Sequence, residues 1–175
     1  NYRKKILNFF YIFLIIHLII WTLVPTLTNN NLPLDTIEAL AWGSNLDWGF
    51  SKHPPASAFF VEIFYFFFGN SDWVYYLLSQ IFVIFSFFIV FKVSEKIFND
   101  KILGILSVLL LEGIYFYNFT TPEFNVNVCQ LPFWSLVVYF SWEIFDKKKI
   151  NFYDITYLEI FAEIGFLPNI YSFIF

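Results

Sequence analysis

Between Ile6 and Leu27 the chain runs for 22 residues without an acid, a lysine or an arginine. As a helix that run covers about 33 Å, enough to cross the ~30 Å of hydrocarbon in a bilayer. Arg3, Lys4 and Lys5 precede it. A secretory signal has a shorter apolar core and a small-residue cleavage site, so this run reads as a signal-anchor helix. The rest of the chain agrees. It is 59% hydrophobic with 27 Phe and a mean hydropathy of +0.65, more apolar side chain than a soluble core of 175 residues can bury. Lipid must be the solvent for much of its surface.

Four further apolar runs are predicted to span: Trp73–Phe91, Ile102–Asn118, Val128–Phe145 and Tyr153–Phe175, the last interrupted by Pro168-Asn169. A sixth, Ala56–Phe68, is only 13 residues, about 20 Å as a helix and short for a crossing. Charge decides its role. If it crosses, seven of the ten basic residues fall outside; if it dips and returns, nine of ten are cytoplasmic and only Lys52 is outside. Basic residues favour the cytoplasm, so the second topology is expected. The fold expected is an all-α polytopic membrane protein, with about five spans (6–27, 73–91, 102–118, 128–145, 153–175) and one half-length or juxtamembrane helix (56–68). The N-terminus is then cytoplasmic and the 28–55 loop is outside.

Other classes fall away quickly. Cys129 is the single cysteine, so neither an internal disulfide nor a cysteine metal site is expected, and one Lys-His pair is too few ligands for zinc. The net charge of −4 with no basic stripe argues against nucleic acid. No repeat or linker divides residues 1–175, which read as one module. The chain lacks an initial Met and ends inside an apolar run, so later spans are expected to follow.

The polar stretch Leu32–Pro55 stands out in this background. Asp35 and Glu38 sit three apart after Pro33, a spacing that permits a capping box at a helix start. The same spacing puts both carboxylates on one helix face, where one could take a proton from an acceptor hydroxyl. Trp42 and Trp48 flank them, and Lys52-His53-Pro54-Pro55 closes the stretch. The two prolines suit the first turn of the following helix; they also present a cation and an imidazole suited to a phosphate. The expected topology puts a second polar stretch, Thr120–Asn127, on the same side, with Glu123, Asn125 and Asn127 as pocket candidates. Glu62, two turns after the prolines, is another. Glu143 is expected to pair with Lys147 at i+4, and Glu112 to face a cavity or a partner.

These residues resemble a known family. Asp35-Thr36-Ile37-Glu38-Ala39-Leu40-Ala41-Trp42-Gly43, then Leu46-Asp47-Trp48-Gly49-Phe50, then Lys52-His53-Pro54-Pro55 resemble glycosyltransferase family 39. This is the group of polyprenyl-phosphate sugar transferases that includes the protein mannosyltransferases and the aminoarabinose transferases. The likeness continues more loosely through Phe68-Gly69, Asp72-Trp73 and Gly165-Phe166-Leu167. It implies a GT-C fold and, outside the bacterial inner membrane, an acid in the first external loop acting as base. One register of the motif selects Asp35 and the other Glu38. It implies further that Lys52 and His53 approach the lipid phosphate. The substrates implied are a polyprenyl-phosphate-linked sugar and a lipid, glycan or protein acceptor, with membrane lipids around them and no cofactor. The chain departs from the family in two places. Where relatives have a second acid opening a span, it carries Glu123, Asn125 and Asn127; where they have a lysine near 169, it carries Asn169.

Two other classes fit the same residues. A transporter or flippase-like protein would use the acids to bind without chemistry and would tolerate their loss. A non-catalytic remnant would not turn over at all, and a chain of this length is expected to be inactive alone.

Overall fold

The computed structural model describes residues 2–45, 47, 50, 55–147 and 152–166. Among these the chain is helical, with no strand. In order the helices are α1 (Tyr2–Thr28), α2 (Leu34–Gly43), α3 (Pro55–Phe68), α4 (Asp72–Phe98), α5 (Lys101–Glu112), a π-helix (Phe116–Thr120), α6 (Val126–Asp146) and α7 (Phe152–Phe166). Three of them, α1, α4 and α6, are long and apolar enough to cross a membrane.

Helix α4 is the centre of the bundle. Two thirds of its apolar window is buried (67%), against 22% for α1 and 17% for α6. Its neighbours dock through aromatic and small residues. Phe10 of α1 stacks on Phe91 at 4.2 Å. Gly104 of α5 brings its backbone so close to Phe91 that a Cβ would lie 2.9 Å from the ring. Ser86 Oγ meets Ser135 Oγ of α6 at 2.6 Å, the hydrogen-bonded small-residue contact that lets membrane helices approach. Phe140 of α6 in turn stacks on Phe161 of α7.

The connections explain the direction of the chain. Asn99 takes the left-handed conformation (φ 51°) that ends α4, which Asn tolerates better than most residues. Asp100 then accepts from Ile102 N at 2.8 Å to start α5. At this end Tyr2 and Arg3 line a cavity of about 320 Å³ together with Glu95, Asn99 and Lys101. At the opposite end Asn29 donates to Tyr76 Oη at 3.1 Å, and Tyr76 Oη donates to Asn31 O at 3.4 Å. The two ends are called here the basic end and the loop end. The chain leaves α1 and enters α4 at the loop end, and α2 and α3 lie between without carrying it across. Helix α3 buries Pro55, Ser57, Ala58 and Val61, but leaves Phe66 and Phe67 exposed.

Two of the apolar runs take a different form from a single long helix. Helix α5 stops at Glu112, and the 102–118 run continues through a turn into the π-helix. The reason is local: Asn118 Nδ2 donates to Glu112 O at 2.5 Å, taking a carbonyl that a regular helix would pair with the amide four residues on. The second run forms α7, whose last described residue is Phe166; Pro168-Asn169 and the rest of 167–175 lie outside the described residues. At the basic end Glu143 pairs with Lys147 at i+4, Oε2 to Nζ 3.0 Å. The cluster extends to Lys96 of α4 and to Asp154, 2.9 Å from Lys147 Nζ. It ties α4, α6 and the start of α7 together.

Candidate functional site at the loop end

Helix α2 carries the two acids of the polar stretch, and its start is built differently from a capping box. Pro33 occupies the N-cap and provides no side-chain acceptor. The free amide of Asp35 is satisfied from far along the chain: it donates to Glu123 Oε1 at 3.0 Å, across 88 residues. Next to it Thr36 Oγ1 donates to Phe124 O at 3.2 Å. Glu123 thus does the work that sequence spacing suggested for Asp35, and its charge faces the positive end of the helix dipole. Among the described residues the Asp35 carboxylate has no hydrogen-bond or ion-pair partner, so capping does not consume it. Asp35 and Glu38 are both half-buried, three apart on one face. Glu38 is engaged by the protein.

The same two contacts join the 32–45 and 120–127 stretches. Phe124 is fully buried and meets Phe82 of α4 edge to face at 5.3 Å, which anchors the second stretch in the core. Asn125 is spent on structure, its Oδ1 accepting from Val128 N at 3.1 Å to start α6. Asn127 is exposed. Glu123 also lines a cavity of about 460 Å³ with Trp21, Asn29, Phe119 and Thr120.

The far end of α2 is fixed by a glycine. A Cβ on Gly43 would lie 2.9 Å from Ala58 O and 3.0 Å from Glu62 Oε2, so only a bare backbone lets α2 and α3 cross this closely. Glu62 therefore packs at the α2–α3 crossing. Trp42 stacks on Phe50, ring centres 5.4 Å apart. Trp48, Lys52 and His53 lie outside the described residues.

One group of residues escaped the sequence reading. His17, in the middle of α1, is buried against α4 and the end of α5. Its Nε2 lies 3.1 Å from Gln80 Oε1, and its Nδ1 lies 2.8 Å from Glu112 Oε2. That second contact is close enough for an ion pair, although its angle is not that of a hydrogen bond. Gln80 Nε2 donates to Thr121 Oγ1 at 3.4 Å, and Ser79 Oγ donates to Thr121 O. The available signal was that polar groups in apolar runs must find partners; nothing in the sequence says which.

Comparison with known proteins bears on the same region. No curated protein and no solved structure matches the chain. The family described as dolichyl-phosphate-mannose-protein mannosyltransferase matches residues 52–174. The match takes in Lys52–Pro55, α3 to α7 and the second polar stretch; Asp35 and Glu38 lie before it. The expected resemblance to polyprenyl-phosphate sugar transferases of the GT-C type is upheld. With its multi-pass helical architecture, this chain belongs to the dolichyl-phosphate-mannose-protein mannosyltransferase family of membrane glycosyltransferases.

Proposed function

We propose that the protein transfers a sugar from a polyprenyl phosphate to an acceptor hydroxyl at the loop end, with inversion, and that α2 carries the base. The observation that supports this most directly is Asp35 itself. Its amide is held by Glu123, while its carboxylate stays uncommitted among the described residues, beside Glu38 on the same face. In the reaction, Asp35 or Glu38 takes the proton of the acceptor hydroxyl as its oxygen attacks the anomeric carbon. The bond from that carbon to the phosphate oxygen breaks, and the lipid phosphate leaves. Lys52 and His53 neutralise its charge, so no acid need protonate it. On this reading Trp42 and Glu62 border the site, and Trp48 is assigned to it from the sequence alone.

The charge distribution supports an outer, periplasmic position for the loop end in a bacterial inner membrane, with the N-terminus cytoplasmic. Lys96, Lys147 and Arg3 all cluster at the opposite end. The acceptor is a lipid, glycan or protein hydroxyl. The test is turnover with a polyprenyl-phosphate sugar in the full-length enzyme. Asp35→Asn or Glu38→Gln should lower it by roughly 10²-fold or more, depending on which is the base. Near wild-type turnover in both would overturn the mechanism.

A further inference from the structure

Five polar residues of the bundle, Glu112, His17, Gln80, Ser79 and Thr121, form a connected path that the proposed chemistry does not use. It starts at Glu112, at the end of α5, beside His17 of α1. It passes from His17 to Gln80 of α4, and from Gln80 and Ser79 to Thr121. Thr121 also donates to Tyr117 O at 3.0 Å. Two residues on, Glu123 accepts the Asp35 amide, and Phe124 accepts from Thr36. His17, Ser79, Gln80 and Thr121 are each no more than 3% exposed.

Burial on this scale is costly unless each group has a defined partner. The hydrogen-bond directions are constrained by the chemistry. Gln80 uses its amide NH₂ toward Thr121, so its carbonyl oxygen faces His17, and Nε2 of His17 must carry a hydrogen. Nδ1 then faces the Glu112 carboxylate, 2.8 Å from Oε2. An apolar side chain at 17 would strand Gln80 Oε1 and the Glu112 carboxylate together. Among the described residues, the hydrogen bonds of Thr121 run to this path and to Tyr117 and Asn118 of the π-helix. The second stretch is tied to the rest of the bundle through Thr121, through Phe124 in the core, through α2 and through α6 after Asn125.

We propose that His17 and Glu112 are positioning residues for the loop end: through Gln80 and Thr121 they hold the 121–124 segment, and with it the start of α2. They touch no substrate. The role rests on the reading of α2 as the site, but the placement of α2 can be measured without turnover.

The measurement is the distance distribution between spin labels at Ser44 and Ser107, in the full chain in lipid nanodiscs with Cys129 replaced by Ala. Ser44 follows α2, and Ser107 lies on α5. A second label pair, at Lys4 and Phe98, reports the basic end. His17→Leu, Glu112→Leu and Thr121→Val should each broaden the Ser44–Ser107 distribution and leave the Lys4–Phe98 distribution unchanged. Glu112→Gln should keep both narrow, because glutamine keeps a polar side chain of the same size beside His17. An unchanged Ser44–Ser107 distribution in His17→Leu and Thr121→Val overturns the proposal. Broadening of both pairs together also overturns it, since it would show general loosening of the bundle. In the same variants, kcat with polyprenyl-phosphate mannose should fall by roughly 10²-fold with little change in KM, the cost of a misplaced catalytic group. Broadening without loss of kcat supports the positioning role and instead overturns α2 as the site.

Discussion

At the scale of single residues, Glu123 shows how a short motif can suggest a local contact that the tertiary structure makes differently. The D-x-x-E spacing satisfies the capping-box pattern, but a proline at the N-cap has no side-chain acceptor, so a carboxylate from another stretch takes that place. The pattern named a pair of acids; which acid caps which amide is a tertiary fact. Glu123→Leu should remove the anchor and destabilise the start of α2 by about 1 kcal/mol, seen as faster hydrogen exchange at the Asp35 amide. Glu123→Gln, which keeps an acceptor oxygen, should leave that exchange nearly unchanged. Equal exchange in both variants would mean that the contact does not hold the helix. His17 and Glu112 illustrate the opposite limit. Each is visible in the sequence as a polar residue in an apolar run, and their pairing is not.

At the scale of elements, hydrophobic run length located the long helices well, because a lipid-facing helix must satisfy its own backbone over the full thickness. It located α5 less well. Counting apolar residues gives no sign that Asn118 will capture the Glu112 carbonyl and turn the end of that run into a π-helix. The short α2 was legible as a helix start but not as one half of a tight crossing. Gly43 carries that information, and its role emerges only from the 2.9 Å approach to Ala58 O. Gly43→Ala should force α2 and α3 apart and cost about 1–3 kcal/mol, measurable as a lower unfolding midpoint in detergent. An unchanged midpoint would show that the crossing relaxes freely.

At the scale of the whole molecule, two polar stretches far apart in sequence meet at one end of the bundle, and the lysine-rich clusters gather at the other. Counting charges led to the same division, because positive-inside bias and helix connectivity both depend on where the chain turns. With Cys129 removed, a cysteine at Ser71 should react with a membrane-impermeant maleimide from outside intact cells, and one at Lys5 only after permeabilisation. The reverse pattern would put the loop end in the cytoplasm. The central claim is that the acids of α2 do chemistry and do not merely bind. Its most direct test is the double variant Asp35→Asn, Glu38→Gln in the full-length enzyme, with donor binding and transfer measured side by side. The expected result is affinity for the polyprenyl-phosphate sugar within a few-fold of wild type, with transfer reduced by roughly 10²–10⁴-fold. Transfer that survives, or that falls only in step with affinity, would contradict it.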